Sequence, residues 1–180
     1  ARSLGARESE IYFTSGGTES DNAAIFGAYR ARCRQGKRII TTAVEHPAVL
    51  RCFEELKRQG ADAVFIGVGA DGSLDMKALE DALTKDTVLV SVMHVNNETG
   101  AIFPVREISD LLSVCARKYS IPKPLLHSDC VQSYGKLEVN AAELGVDLLS
   151  VSAHKVHGPK GVGALYIKSG VHIPPLILGG

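Results

Sequence analysis

No sign of charge dominates this chain: 20 lysines and arginines are matched by 20 aspartates and glutamates, and no basic face stands out. Nucleic acid and anionic membrane surfaces are thereby disfavoured as partners. There is no C-x-x-C pair among Cys33, Cys52, Cys115 and Cys130, which argues against a structural zinc site and mildly for a reducing, cytoplasm-like compartment. Cys33, Cys52 and Cys115 fall in helix-like stretches and read as small core residues. No apolar run is long enough to span a bilayer, and the start does not resemble a secretion signal. No internal repeat, low-complexity tract or linker divides the chain. It also lacks an initial methionine, and its first residues read as the tail of a helix, so a fragment of a longer protein is expected.

What is present is an ordinary globular composition: 180 residues, 45% hydrophobic and 22% charged, enough for one domain over residues 1–180 with a real core. Short β-prone or apolar runs are expected as strands at 10–14, 38–42, 61–68, 87–95, 124–129, 146–152 and 162–168. Between them, apolar residues at helical spacing predict helices from about Thr18, from Pro47 to near Gly60, over 75–83 and from Pro104. Strands alternating with helices predict an α/β layered domain on a mostly parallel sheet. In such sheets ligands gather at the carboxyl ends of the strands. Five polar clusters lie there: Ser15–Ser20, Glu45-His46, Asn96–Glu98, Asp129–Gln132 and Ser152–Lys155.

Two glycine motifs are set aside. Gly67–Gly72 matches G-x-G-x-x-G, but its third glycine belongs to an Asp-Gly turn and no helix opens there; Ser73 or Asp75 is the expected cap of the next helix. Gly158-Pro159-Lys160-Gly161 lacks the ending of a P-loop, and Pro159 removes an amide such a cradle needs. Ser15–Thr18, with glycines before a helix, is either an anion site or a helix start capped by Thr18 or Ser20. Individually, His46 reads as structural, Asp129 as a cap and Asn96–Gly100 as a turn, while the strand-flanked setting of Lys155 disfavours a merely solvated lysine. Together the clusters fit one chemistry. A lysine amine condenses with an aldehyde cofactor, a carboxylate pairs with its pyridinium nitrogen and a helix start grips its phosphate, the set that pyridoxal 5'-phosphate requires.

The stretches TSGGTESDN, VEHPAVL, HVNNETGAIFPV, HSDCVQSYGK and SVSAHKVHGPKGVGALYI resemble the large domain of cysteine desulfurases of the nitrogen-fixation and iron–sulfur-assembly type, in the class V aminotransferase superfamily, with selenocysteine lyases nearby. The resemblance runs from about Glu10 to Gly180. It implies a three-layer α/β/α sandwich on a mixed, mainly parallel seven-stranded sheet, the large domain of fold type I pyridoxal-phosphate-dependent transferases, working as a homodimer. It matches Lys155 to the Schiff-base lysine, Asp129 to the partner of the pyridine nitrogen and Gln132 to the ring-hydroxyl contact. His46 matches the histidine stacked on the ring and involved in proton movement, and Asn97 the asparagine beside the ring oxygen and substrate carboxylate. Gly17, Thr18, Ser152 and His154 match the phosphate grip.

Cys130 stands where a small residue such as alanine is usual, and none of the four cysteines matches the sulfur-accepting one, which the resemblance puts beyond Gly180 with most of the small domain and the substrate-carboxylate arginine. The resemblance implies removal of sulfur from L-cysteine, giving alanine and an enzyme persulfide for an iron–sulfur scaffold or other sulfur acceptor. Selenocysteine lyase or another class V aminotransferase is the alternative, and a cofactor-binding fragment without turnover is another. A cytoplasmic location is expected, mitochondrial in a eukaryote.

Overall fold

Alternate residues along the central strands send their side chains to opposite faces, and the chain supplies an apolar residue for each. In the computed structural model, which describes residues 1–179, Ile39 and Ile40, Leu125 and Leu126, and Leu148 and Leu149 each split between two separate cores. Gly180, the end of the expected domain, lies outside the described residues.

The strands are β1 (Ile11–Thr14), β2 (Arg38–Thr42), β3 (Asp62–Ile66), β4 (Thr87–Ser91), β5 (Leu125–Asp129), β6 (Leu148–Ser152) and β7 (Gly163–Ile167). They form one sheet in the order β1-β7-β6-β5-β4-β2-β3, with β7 antiparallel to both of its neighbours and the other pairs parallel. Helices α1 (Gly17–Arg32) and α2 (Pro47–Arg58) cover one face around Ile25, Ala28, Val49, Phe53 and Leu56. Helices α3 (Met76–Ala82), α4 (Val105–Tyr119) and the one-turn α5 (Ala141–Leu144) cover the other around Leu79, Ile108 and Leu112. The arrangement is the expected α/β/α sandwich.

Local chemistry explains most element ends. Pro47 opens α2, and Asp75 caps α3 by accepting the Ala78 N–H at 2.8 Å. Gly67–Leu74 forms a turn closed by a Val68–Leu74 bridge, with Gly72 at φ +81°, so that glycine motif opens no helix. Four expectations are corrected. The first residues form 3-10 turns at Arg2–Leu4 and Glu8–Glu10, not the end of an α-helix. β4 stops at Ser91, short of Val95, because the Met93 N–H is taken by the buried Glu45 carboxylate. Helices do not alternate with strands throughout, since only a 3-10 turn (Ala153–Val156) and a glycine-rich loop join β6 to β7. Cys33 is half-exposed at the end of α1, while Cys52 and Cys115 are buried as expected.

Candidate active site

The five polar clusters meet. The end of β1 lies beside Gly163 at the start of β7, which pairs with Ser152 at the end of β6, so these junctions share one sheet edge with the carboxyl ends of β4 and β5. A cavity of about 250 Å³ opens there. All nine expected site residues line it: Gly17, Thr18, His46, Asn97 and Asp129 from the first four clusters, with Gln132, Ser152, His154 and Lys155 closing the ring.

On one side the cavity meets the start of α1. Gly16, at φ +154°, precedes the helix and no side chain caps it, so neither Thr18 nor Ser20 is the cap. Ser20 Oγ instead bonds the Gly16 carbonyl, and Glu19 accepts the Ser15 N–H at 2.7 Å. The first-turn amides are thus left for an outside acceptor, at the positive end of a 16-residue helix. A methyl group on Gly17 would lie 2.8 Å from Val131 Cγ2, so glycine keeps this wall open. Ser152 is buried, and its hydroxyl bonds His154 Nδ1 at 2.8 Å beside the same helix start.

Asp129 forms the floor. It is buried at the end of β5, its Oδ1 accepts the Val131 N–H at 2.8 Å, and desolvation raises its carboxyl above the usual range against the pull of that N–H and of His46. Its role as a local cap and its place in the cavity are therefore both real. His46 caps α2 through Nδ1, which accepts the Ala48 N–H at 3.1 Å; its Nε2 makes no hydrogen bond among the described residues. Gln132 Oε1 accepts from Lys136 Nζ at 3.1 Å, which leaves the Gln132 amide N–H groups as donors. Asn96 builds its own turn, accepting from the Glu98 and Thr99 amides and donating to the Val44 carbonyl, so Asn97 is free to line the cavity.

Lys155 sits on the 3-10 turn after β6, exposed at the cavity mouth, and its amine makes no hydrogen bond or ion pair among the described residues. Cys130 is fully buried and desolvation pushes its thiol up to about 12, so it is not a nucleophile here; none of the four cysteines lines the cavity. Asp21, Met93 and Val131 also line it and were not anticipated. Asp21 was readable in principle, because four residues after Gly17 it falls on the same face of α1.

These donors suit a phosphorylated pyridine aldehyde: free helix-start amides for the phosphate, a buried carboxylate with one N–H donor for the ring nitrogen, and an unengaged amine for the aldehyde. The cysteine desulfurase IscS of Dictyoglomus turgidum is 51% identical over 180 residues, all of this chain and 44% of that protein. A cysteine desulfurase of Nostoc sp. is 46% identical over 177 residues, 98% of this chain and 42% of that protein. The chain thus spans under half the length of these curated relatives. Among solved structures, a NifS-like protein superposes with a TM-score of 0.91 at 42% identity, covering 100% of this chain and 48% of that one. A structure described as SspA in complex with cysteine gives 0.89 at 38% identity, over 100% of this chain and 50% of that one. The profile of the aminotransferase class-V family matches residues 1–180 from end to end, and this chain belongs to that family.

Proposed function

We propose that this chain is the cofactor-binding part of a pyridoxal-phosphate-dependent cysteine desulfurase. The observation that carries this is the unpaired amine of Lys155 facing one cavity with the buried Asp129 carboxylate and the uncapped start of α1. The names of the relatives, cysteine desulfurases in both curated cases, support the choice of reaction. Pyridoxal phosphate, when bound, supplies an aldehyde for an amine and an electron sink for charge developing at an amino acid's α-carbon.

The residues divide the work. Gly17 and Thr18 amides, with Ser152 and His154, bind the phosphate. Asp129 places negative charge against the ring nitrogen and keeps it protonated. Gln132 donates to the ring hydroxyl, and Asn97 orients the ring oxygen and the substrate carboxylate. Lys155 would hold the aldehyde through its amine, and that amine would move the α-proton of L-cysteine, with His46 Nε2 as second proton carrier. The cavity holds no thiol, so the sulfur-accepting cysteine comes from another part of the protein or from its partner subunit. A homodimer, a scaffold protein that takes the sulfur, and a cytoplasmic site of action belong to the same reading.

The test is to add pyridoxal phosphate, reduce with borohydride and map the modified peptide. Labelling at Lys155, lost in Lys155→Ala, is expected; labelling elsewhere, or none in folded protein, overturns the assignment. In the full-length protein, sulfide release from L-cysteine in excess of selenide release from L-selenocysteine separates desulfurase from lyase.

A further inference from the structure

Beneath the cavity, α1 brings a second buried carboxylate against the sheet. Asp21 is 1% exposed, lines the cavity with Asp129, and its Oδ1 has no hydrogen-bond partner among the described residues. The nearest group able to carry positive charge is His127 Nε2 at 3.6 Å, on the same face of β5 as Asp129. That imidazole cannot neutralise it. His127 is fully buried, desolvation drives it down to about 3, and its two nitrogens are engaged by the hydroxyls of Ser91 at 2.8 Å and Ser150 at 3.0 Å. No lysine or arginine forms an ion pair with Asp21 among the described residues.

Two carboxylates in one buried space do not both ionise without compensation. The chain compensates them unequally. Asp129 has the Val131 N–H and the neighbouring His46, whereas Asp21 has a neutral imidazole that is already bonded and a Ser150 hydroxyl that this imidazole shares. The other titratable groups around Asp21 do not help. Glu45 on the β2–α2 turn is another buried acid, and the Cys52 and Cys130 thiols are pushed up to about 12. His46, His154 and Lys155 stand on the cavity's open side. Burial first, then the charges of Asp129 and Glu45, favour a proton on Asp21 and outweigh the opposing pull of the Ser150 hydroxyl.

We propose that Asp21 is a positioning residue: it is the uncharged, proton-carrying acid beneath the cavity, and it leaves Asp129 as the cavity's one carboxylate charge. What that charge serves, a protonated ring nitrogen, rests on the cofactor reading above; the location of the proton does not. A ring cation bound at Asp129 would offset the charge that Asp21 feels and make Asp21 easier to ionise.

The measurement is carbon-13 NMR of the chain labelled only at aspartate γ-carboxyls, in which Glu45 is silent. Without cofactor at pH 7, one aspartate carboxyl is expected at the protonated position, absent from Asp21→Asn. In Asp129→Asn its titration should move down by on the order of one pH unit, and pyridoxal phosphate should move it the same way in the wild-type chain. All aspartates ionised at pH 7 would overturn the proposal, and that wild-type result needs no variant to fold. A protonated signal that disappears in Asp129→Asn and survives in Asp21→Asn would overturn it too. A midpoint unmoved by pyridoxal phosphate, with Lys155 labelled, would remove the positioning role. Failure of Lys155 labelling alongside a protonated Asp21 would instead sink the cofactor reading and leave the proton where it is assigned.

Discussion

Glu45 receives the backbone N–H of Met93 on both carboxylate oxygens, at 2.9 and 3.1 Å. The pairing ties the turn that carries His46 to the end of β4, and Thr42 Oγ1 adds a second donor at 2.8 Å. Desolvation nonetheless pushes the Glu45 carboxyl up to about 8.

That shift has a defined sign. An acid raised on folding contributes stability that is complete below its unfolded value, about 4.5, and is lost as pH rises through about 8. Urea midpoints of the wild-type chain should therefore fall from pH 6 to 8. Glu45→Gln should remove up to about 1 kcal/mol of that fall per pH unit, leaving the part due to Asp21 and Asp129, whose carboxyls are also raised. A variant as steep as wild type would show that Glu45 is not the source.

His127 acts in the opposite direction. Its imidazole is depressed to about 3, so its contribution is present above about pH 6.5 and lost as pH falls toward 3. His127→Gln should cost about 1–3 kcal/mol at pH 7 through the unpaired Ser91 and Ser150 hydroxyls, while losing less on acidification to pH 4 than wild type. Thermal melts at the two pH values measure both effects, and equal acid losses in the two proteins would refute the assignment.

Gly163 is needed for closeness, not for its backbone angle. A methyl group there would lie 2.7 Å from the Gly16 Cα and 2.8 Å from the Val151 carbonyl oxygen, backbone atoms that cannot rotate away. Gly163→Ala should destabilise the fold by about 1–3 kcal/mol and, by displacing the turn before α1, weaken pyridoxal phosphate binding. Melting and cofactor titration together check this; an unchanged melting temperature would contradict it.

Phe53 of α2 is fully buried and meets Phe65 edge-on, with ring centroids 6.3 Å apart. Phe53→Ala should cost about 3–5 kcal/mol. Chemical denaturation reads the value directly, and a loss below about 1 kcal/mol would mean that the α1–α2 face collapses around the gap.

Much of this protein was legible in local pattern. Strand and helix periods, Pro47 at a helix start, Asp75 as a cap and the Asp-Gly turn at Asp71-Gly72 all act over a few residues, so the chain states them directly. The polar clusters at strand ends were also recognisable, but the nine candidate site residues within them were singled out by the family resemblance, and the fold brings all nine to one cavity. Tertiary structure decided the rest. The reversal of β7, the early end of β4 and the half-exposure of Cys33 depend on partners far along the chain. The one-turn α5 was too short to show a period, and Asp21 looks in sequence like any polar residue of a helix's first turns. Only when α1 lies across β5 does Asp21 meet His127 at 3.6 Å and share a cavity with Asp129. Burial and charge repulsion are sums over neighbours, and the sheet, not the local sequence, chooses those neighbours.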